Sequence, residues 1–283
     1  MNREPVSVII PTYNRADFLA GAIDSVLGQT RPPAELLVID DGSTDRTGDL
    51  VAGYGEAVRY LHNLHKENRG PAAARNLGIR AARHDLLAFL DSDDRFDPRK
   101  VEIQAEAMRA NPAVLISHTE EIWYRNGVHL NQKKKHRKEG GDLFARGLAL
   151  CVVGMSTVMA RRQLFDRVGM FDEDLPCCED YDLWLRVSPF WEFLYIDRPL
   201  TIKNGGRPDQ VSSQYRLGMD RFRIKALGKL LEAGRLGPEH YRMAVEALTA
   251  KCCIYGNGCL KHGREEEGRR YLEMPRRYES IEK

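Results

Sequence analysis

No apolar run in this 283-residue chain approaches the roughly 18–20 residues that a helix needs to cross a bilayer. No membrane span is therefore expected. The N-terminal MNREPVSVII has neither the apolar core nor the small-residue cleavage site of a secretory signal, and the chain is expected to stay in the cytoplasm. Cysteine is sparse. Cys151, Cys177, Cys178, Cys252, Cys253 and Cys259 form no CxxC pair and no disulfide framework. Cys253, Cys259 and His262 can be drawn as a zinc site, but a fourth ligand is missing and buried thiols are the preferred reading. Neither GxGxxG nor GxxxxGKS/T occurs, so no glycine-rich loop cradles a phosphate. An excess of one charge is also lacking. With 43 basic and 41 acidic residues the net charge is +2, too small for a general nucleic-acid or membrane binder.

What the chain does have is a regular beat. Val6–Ile10 is a β-branched run that ends in a Pro11–Asn14 turn, and a helix follows with Phe18, Leu19, Ala22, Ile23, Val26 and Leu27 on one face. Leu36–Ile39 reads as a second strand closed by DDGSTD, with Ser43 or Thr44 as the next helix cap. Val58–Leu61 is a short third strand, Gly70-Pro71 opens a helix to Arg83, and Leu86–Leu90 is the fourth strand. Strand and helix alternating at this spacing predict an α/β fold with a Rossmann-like, mostly parallel sheet flanked by helices. Further on, a helix to Asn111, a strand at Val114–Ser117 and a hairpin turning at Asn126-Gly127 are expected. Phe144–Leu150 and Asp180–Val187 read as helices, Thr157–Ala160 as extended, and 203–214 as a mobile loop. From Gly218 the pattern is helical, giving a division into an α/β domain, 1–215, and a C-terminal helical extension, 216–283.

Two acidic turns stand at strand ends. FLDSDDRF places Asp91, Asp93 and Asp94 directly after the fourth apolar run, and Asp40 and Asp41 end the second. Each alone is an ordinary solvated turn. Together, at the carboxyl ends of neighbouring strands where open α/β sheets bind ligands, they point to a crevice shared with Pro11–Asn14. Carboxylates that close repel unless a cation sits between them, and their hard oxygens suit Mg2+ or Mn2+ shared with a diphosphate. A further acidic stretch, CCEDYDLWLR, offers Glu179 and Asp180 at a helix start. Its bland reading is a helix N-terminus with an Asp182–Arg186 surface pair and a core Trp184; its functional reading is a general base beside an aromatic shelf.

Taken in order, VSVIIPTYNR, VIDDGSTDRT, NRGPAAARNLGI, LLAFLDSDDRF and CCEDYDLWLR resemble the family 2 glycosyltransferases of GT-A fold, over roughly residues 5–200. The resemblance implies an inverting transferase that takes one sugar from a nucleotide-diphosphate sugar, UDP-sugar favoured, to a glycan or lipid-linked acceptor, with no nucleic-acid partner. By position, Pro11, Thr12 and Tyr13 would line the nucleotide pocket, Asp41 would accept a hydrogen bond from the base, and Arg75 would contact the donor. Asp91-Ser92-Asp93 would be the family's DxD, with Asp91 towards the ribose or the metal shell, Asp93 the firmer ligand of Mg2+ or Mn2+, and Asp94 an extra contact. Asp180 would be the catalytic base, with Glu179 and Trp184 near the acceptor.

Departures narrow this. Where many GT-A enzymes place a further metal ligand, often histidine, the chain reads GGRPDQVS, which leaves Asp209 as a ligand or Arg207 as a diphosphate contact. No QxxRW-like motif is present, so single-sugar transfer is expected rather than processive synthesis, in cell-envelope or surface-polysaccharide assembly. The stretch KKKHRK, 133–138, is either a solvated charge run or a peripheral contact with an anionic membrane or lipid-linked acceptor. Two other classes compete: a non-catalytic nucleotide-sugar binder or scaffold, and a nucleotidyltransferase that would release pyrophosphate.

Overall fold

A computed structural model describes residues 4–63 and 67–279. The first three residues of the N-terminal stretch and the last four of the 216–283 extension lie outside them. The strands β1 (Val6–Thr12), β2 (Glu35–Asp40), β3 (Arg59–His62) and β4 (Leu86–Phe89) pair in parallel in the order β3-β2-β1-β4. Every residue of β1, β2 and β4 is buried, as parallel strands covered on both faces require. Their side chains alternate between two cores. Ile9, Leu37, Ile39, Leu87 and Phe89 enter one cluster, and Val8, Ile10, Leu36, Val38 and Ala88 the other.

Three helices, α1 (Ala16–Leu27), α2 (Thr47–Ala52) and α3 (Gly70–Ala81), cross between these strands. α1 buries Leu19, Ala22, Ile23 and Val26, but Phe18 and Leu27, expected on the same face, are exposed. Ser43 and Thr44 do not cap α2, because both are used to bind Asn14: Asn14 N donates to Ser43 Oγ at 2.8 Å and Thr44 N to Asn14 Oδ1 at 2.8 Å. Those bonds tie the β1 turn to the β2 turn. α3 lies so close to β1 that a Cβ at Gly78 would stand 2.5 Å from Ile9 Cγ2, and this approach fixes the height of Arg75 over the strand ends.

Beyond β4 the sheet becomes mixed. β5 (Arg95–Phe96), β6 (Ile116–Arg125), β7 (Val128–Leu130), β8 (Met159–Arg161) and β9 (Leu194–Gly205) extend it in the order β4-β8-β6-β9-β5, with β7 on the side of β6. Only β6–β9 is a parallel pair here. The β6–β7 hairpin turns at Asn126 and Gly127 with φ of 51° and 77°, the left-handed pair that a two-residue turn needs. Sequence reading missed β9. Its Lys203–Gly205 end lies in the segment expected to be a mobile loop, and Val211–Gln214 of that segment forms a short helix. The helices are α4 (Lys100–Ala110), α5 (Phe144–Ala149), α6 (Arg162–Val168), α7 (Glu179–Val187), α8 (Val211–Gln214), α9 (Asp220–Glu232), α10 (Pro238–Lys261), α11 (Glu265–Glu273) and α12 (Arg276–Glu279).

α9 and α10 share one apolar cluster with α5 and α7, built from Phe144, Leu148, Tyr181, Leu185, Leu227, Leu231 and Leu248. Asp182 is consequently not on the surface. Arg186 holds it at 2.8 Å as the i,i+4 spacing predicts, but Lys229 of α9 closes over it at 2.9 Å and it is buried. Of the cysteines, Cys177, Cys252 and Cys259 are buried and Cys253 is exposed. The basic stretch also changes meaning. Lys138 turns inward and pairs with buried Glu121 at 3.1 Å, which leaves Lys133, Lys134, Lys135 and Arg137 as its exposed charges.

Lys100 is fully buried between α4 and the sheet, donating to Gln104 Oε1 at 2.8 Å and Thr157 O at 3.1 Å. Burial pushes its pKa from the ordinary 10.5 down to about 7. Above pH 7 the folded protein holds it neutral while the unfolded chain still binds the proton, so this group adds stability as pH rises from 7 towards 10.5 and adds no slope below 7. Melting temperatures from pH 7 to 8.5 are therefore expected to rise for wild type relative to Lys100→Met. A wild-type-minus-variant difference that stays flat over that interval would refute the assignment.

Candidate active site

The carboxyl ends of β1, β2 and β4, the start of α7 and the segment after β9 enclose a cleft of about 920 Å³. Pro11, Thr12, Tyr13, Asp41, Arg75, Asp91, Asp93, Glu179, Asp180 and Asp209 all line it, so nearly every sequence-derived candidate meets in one place. Thr12 Oγ1 is buried there without a hydrogen-bond partner among the described residues. Four expected groups do not line it: Asn14, which is used in tying the β1 and β2 turns together, Arg207, which bonds Asp93 from beside the cleft, Asp40 and Trp184. Asp40 accepts bonds from Tyr60 Oη and from Ser43 N and stays outside the cleft. Trp184 is core: its Nε1 donates to Val153 O at 2.9 Å and its ring lies edge-on to Phe193, so it forms no shelf.

Asp41 anchors the end of the cleft formed by β2 and α3. Its Oδ1 accepts from Asn63 Nδ2 at 2.8 Å and its Oδ2 from Arg69 N at 2.8 Å and Gly70 N at 2.6 Å, locking the end of β2 to the start of α3. Burial pushes its pKa up against those three donors.

The three DSDD carboxylates have different partners. Asp91 Oδ1 accepts from Arg75 Nη2 at 2.7 Å. Burial works to raise Asp91, but Arg75 and Lys203 outweigh it and hold the carboxyl below its usual range. Asp93 is bonded by Arg207, and burial together with the Asp91 charge pushes it up. Asp94 is bonded within the fold. Its Oδ2 accepts from Ser156 Oγ at 2.7 Å and its Oδ1 from Asn204 N at 3.0 Å, and it lines the cleft beside Asp93. Burial raises it strongly, with Lys203 acting against that.

Arg75 comes up from α3 as a buried fork. Nη2 takes Asp91 and Nη1 takes Glu179 Oε1 at 2.5 Å, so one guanidinium ties the β4 turn to the first turn of α7. Glu179 is therefore buried against Arg75, although burial still raises its pKa. The next residue, Asp180, faces the cleft. Its Oδ1 accepts from its neighbour Tyr181 N at 2.7 Å and its Oδ2 is 3.3 Å from the Cys151 thiol. Burial and the Asp180 charge push the Cys151 thiol up, so it stays a neutral donor to that carboxylate.

Several cleft residues escaped sequence reading. Lys203 on β9 faces the acidic cluster, and Glu121, Asp94 and Asp91 keep it protonated despite burial. Arg15 pairs with Asp209 across the cleft mouth. Met219 and Arg223 bring the C-terminal helices into the lining. Of these four only Arg15 lies in a quoted motif, as the last residue of VSVIIPTYNR, and it has no assigned role there. Only a missed strand at 194–205 would have placed Lys203 beside the DSDD turn.

Comparison with known proteins gives this geometry a family. An uncharacterized glycosyltransferase of Rickettsia felis is 38% identical over 225 residues, 76% of this chain and 36% of that protein. A protein named as a candidate teichuronic acid biosynthesis glycosyltransferase, TuaG of Bacillus subtilis, is 32% identical over 183 residues, 64% of this chain and 71% of its own. The chain spans only about a third of the length of the rickettsial relative. Among solved structures, S. aureus TarS 1–349 in complex with UDP-GlcNAc aligns with a TM-score of 0.75 at 19% identity, over 96% of this chain and 79% of that one. The mannosyltransferase PcManGT from Pyrobaculum calidifontis, in complex with GDP-Man and Mn2+, aligns at 0.62 and 20% identity, over 98% and 85%. At such identities these likenesses speak for the fold, which is of the GT-A type. Residues 7–169 match the family model for glycosyl transferase family 2, more than half of the sequence, and the chain belongs to that family.

Proposed function

We propose that the chain is a metal-dependent, inverting glycosyltransferase that moves a single sugar from a nucleotide-diphosphate sugar to an acceptor hydroxyl in cell-envelope or surface-polysaccharide assembly. One observation carries the reading: a single cleft holds both the DSD carboxylates and Asp180, a metal-type donor set and a base-type carboxylate. The donor's nucleotide would lie along Pro11–Tyr13 and Asp41. A UDP-sugar is the favoured donor, since TarS is described in complex with UDP-GlcNAc; PcManGT with GDP-Man keeps the guanosine base open.

The residues present fit a hard divalent cation, Mg2+ or Mn2+. Asp93 and Asp91 offer oxygen only, and their mutual repulsion is what a cation relieves. Among the described residues no three His, Cys, Asp or Glu side chains stand as a preformed cluster, so the other positions fall to donor oxygens and water. When bound, such a cation neutralises the diphosphate and stabilises the departing phosphate oxygen. The chain's own residues do the rest. Arg75 holds Asp91 in place, Cys151 and Tyr181 N orient Asp180, and Asp180 takes the proton from the acceptor hydroxyl as that oxygen bonds to the anomeric carbon. The sugar–phosphate bond breaks on the opposite face, which inverts the centre. Lys133–Lys135 and Arg137 are left to meet an anionic acceptor or membrane surface. Among the described residues no helix is long and apolar enough to span a membrane.

Calorimetry tests this directly. UDP or GDP is expected to bind in the presence of Mn2+, with Asp93→Asn losing about tenfold or more in affinity. Folded wild type that binds no nucleotide, with or without metal, would reject the transferase reading in favour of a scaffold.

A further inference from the structure

Arg207 is held in a way that a diphosphate contact alone does not explain. Its Nη2 bonds Asp93 Oδ2, the only hydrogen bond that the Asp93 carboxylate accepts among the described residues. The remainder of the guanidinium is held by longer contacts. Nη1 is 3.4 Å from Asn204 O, and Nε, buried and 3.4 Å from Asp209 Oδ1, makes no hydrogen bond. Its face lies 4.3 Å from the centre of the Phe18 ring, which explains why Phe18 leaves the α1 core. Arg75, by contrast, is forked between carboxylates on two elements and cannot leave without stranding both.

We propose that Arg207 is an internal stand-in for the divalent cation: the guanidinium and the metal are alternative partners of Asp93, and the turn that carries Arg207 must release Asp93 for the donor–metal complex to load. This rests on the metal-dependent reading above. The guanidinium occupies Asp93 Oδ2 and offsets the charge of that carboxylate, so a cation arriving there meets a positive charge already in place and a weakened carboxylate field. In the donor-free protein Arg207 offsets the repulsion between Asp91 and Asp93 and keeps the cluster closed.

The turn that carries Arg207 pivots on one residue. Gly206 has φ of +99°, and a Cβ there would stand 2.5 Å from Asn126 Oδ1, so only glycine makes this corner. The turn is closed by Gly206 N donating to Gln210 Oε1 at 2.8 Å, and its far end is tied to β1 through the Arg15–Asp209 pair. Release of those two ties would free Arg207 at the edge of the cleft, where the same charge can serve the donor's phosphates.

The test is Mn2+ alone, without nucleotide, titrated by electron paramagnetic resonance into wild type, Arg207→Gln and Phe18→Ala. Arg207→Gln is expected to bind Mn2+ about tenfold more tightly than wild type. Phe18→Ala, which removes the ring beneath the guanidinium from an exposed position, should shift affinity the same way by less. Adding Asp93→Asn to Arg207→Gln should abolish the gain. Mn2+ affinity unchanged or weaker in both single variants overturns the stand-in. Metal-dependent nucleotide binding by wild type, measured alongside, keeps the two questions apart: its absence defeats the transferase reading, and its presence with no gain in Arg207→Gln defeats only this inference.

Discussion

Asp180→Asn is expected to lower sugar transfer by about 10²–10⁴-fold, the range a positioned general base supplies, while leaving donor–metal binding within about twofold of wild type. The substitution is nearly isosteric. An asparagine Oδ1 can still accept from Tyr181 N, and the side chain can still sit against the Cys151 sulfur, so the first turn of α7 should keep its shape. What is lost is the capacity to take a proton. The two carboxylates of the Glu179-Asp180 pair are thereby separated by function. Both line the cleft, but Glu179 is committed to Arg75 by an ion pair, whereas Asp180 is bonded only by its neighbour's N–H and the Cys151 thiol. The check is a split measurement: nucleoside diphosphate released per turnover in the presence of acceptor, and calorimetric affinity for the same nucleotide with Mn2+. Near-normal turnover in a variant that binds donor normally would remove Asp180 from the role and direct the search to another proton acceptor.

This part of the site was legible because its signals are local. An apolar strand run followed at once by Asp-Ser-Asp-Asp states both where the chain is buried and where it emerges, and the continuous apolar runs of β1, β2 and β4 suit strands covered on both faces. The groups that escaped are fixed by tertiary partners. β9 carries Asp197, Arg198 and Pro199 in its middle, where the register against β6 shifts, so its sequence lacks a clean alternation even though twelve residues are extended. With that strand unread, Lys203 looked like a loop lysine. Asp182–Arg186 has the spacing of a surface pair, and only Lys229, forty-three residues beyond Arg186, makes it a buried one. Trp184 takes the core one of its two readings, and Phe18 departs from its expected buried face, for a related reason: helical periodicity states that a residue lies on one face, but the neighbouring elements decide which face is covered.

Arg75→Met is expected to be the most damaging single substitution in the cleft, lowering unfolding free energy by about 3–5 kcal/mol, the cost of leaving buried charges without their partner. It should also abolish metal-dependent nucleotide binding, because Asp91 loses the guanidinium that holds it at the end of β4. Methionine fills much of the volume, so the loss is chiefly electrostatic. A pH series isolates that cause. In wild type Arg75 holds the Asp91 carboxyl below its usual range against the burial that would raise it. Without Arg75, burial acts unopposed from that side and the carboxyl rises. A folded-state pKa above the unfolded value gives stability that is present at low pH and lost as pH increases through it. The deficit of the variant relative to wild type should accordingly be greatest near pH 7 and shrink as the pH falls towards 4. Adding Glu179→Gln supplies a second control, since a neutral amide in place of one stranded carboxylate should recover part of the loss and show as favourable interaction energy in the double-mutant cycle. A deficit that neither narrows with acid nor responds to Glu179→Gln would mean that packing, rather than the Asp91–Arg75–Glu179 charge triad, joins the DSDD turn to the helix that carries Asp180.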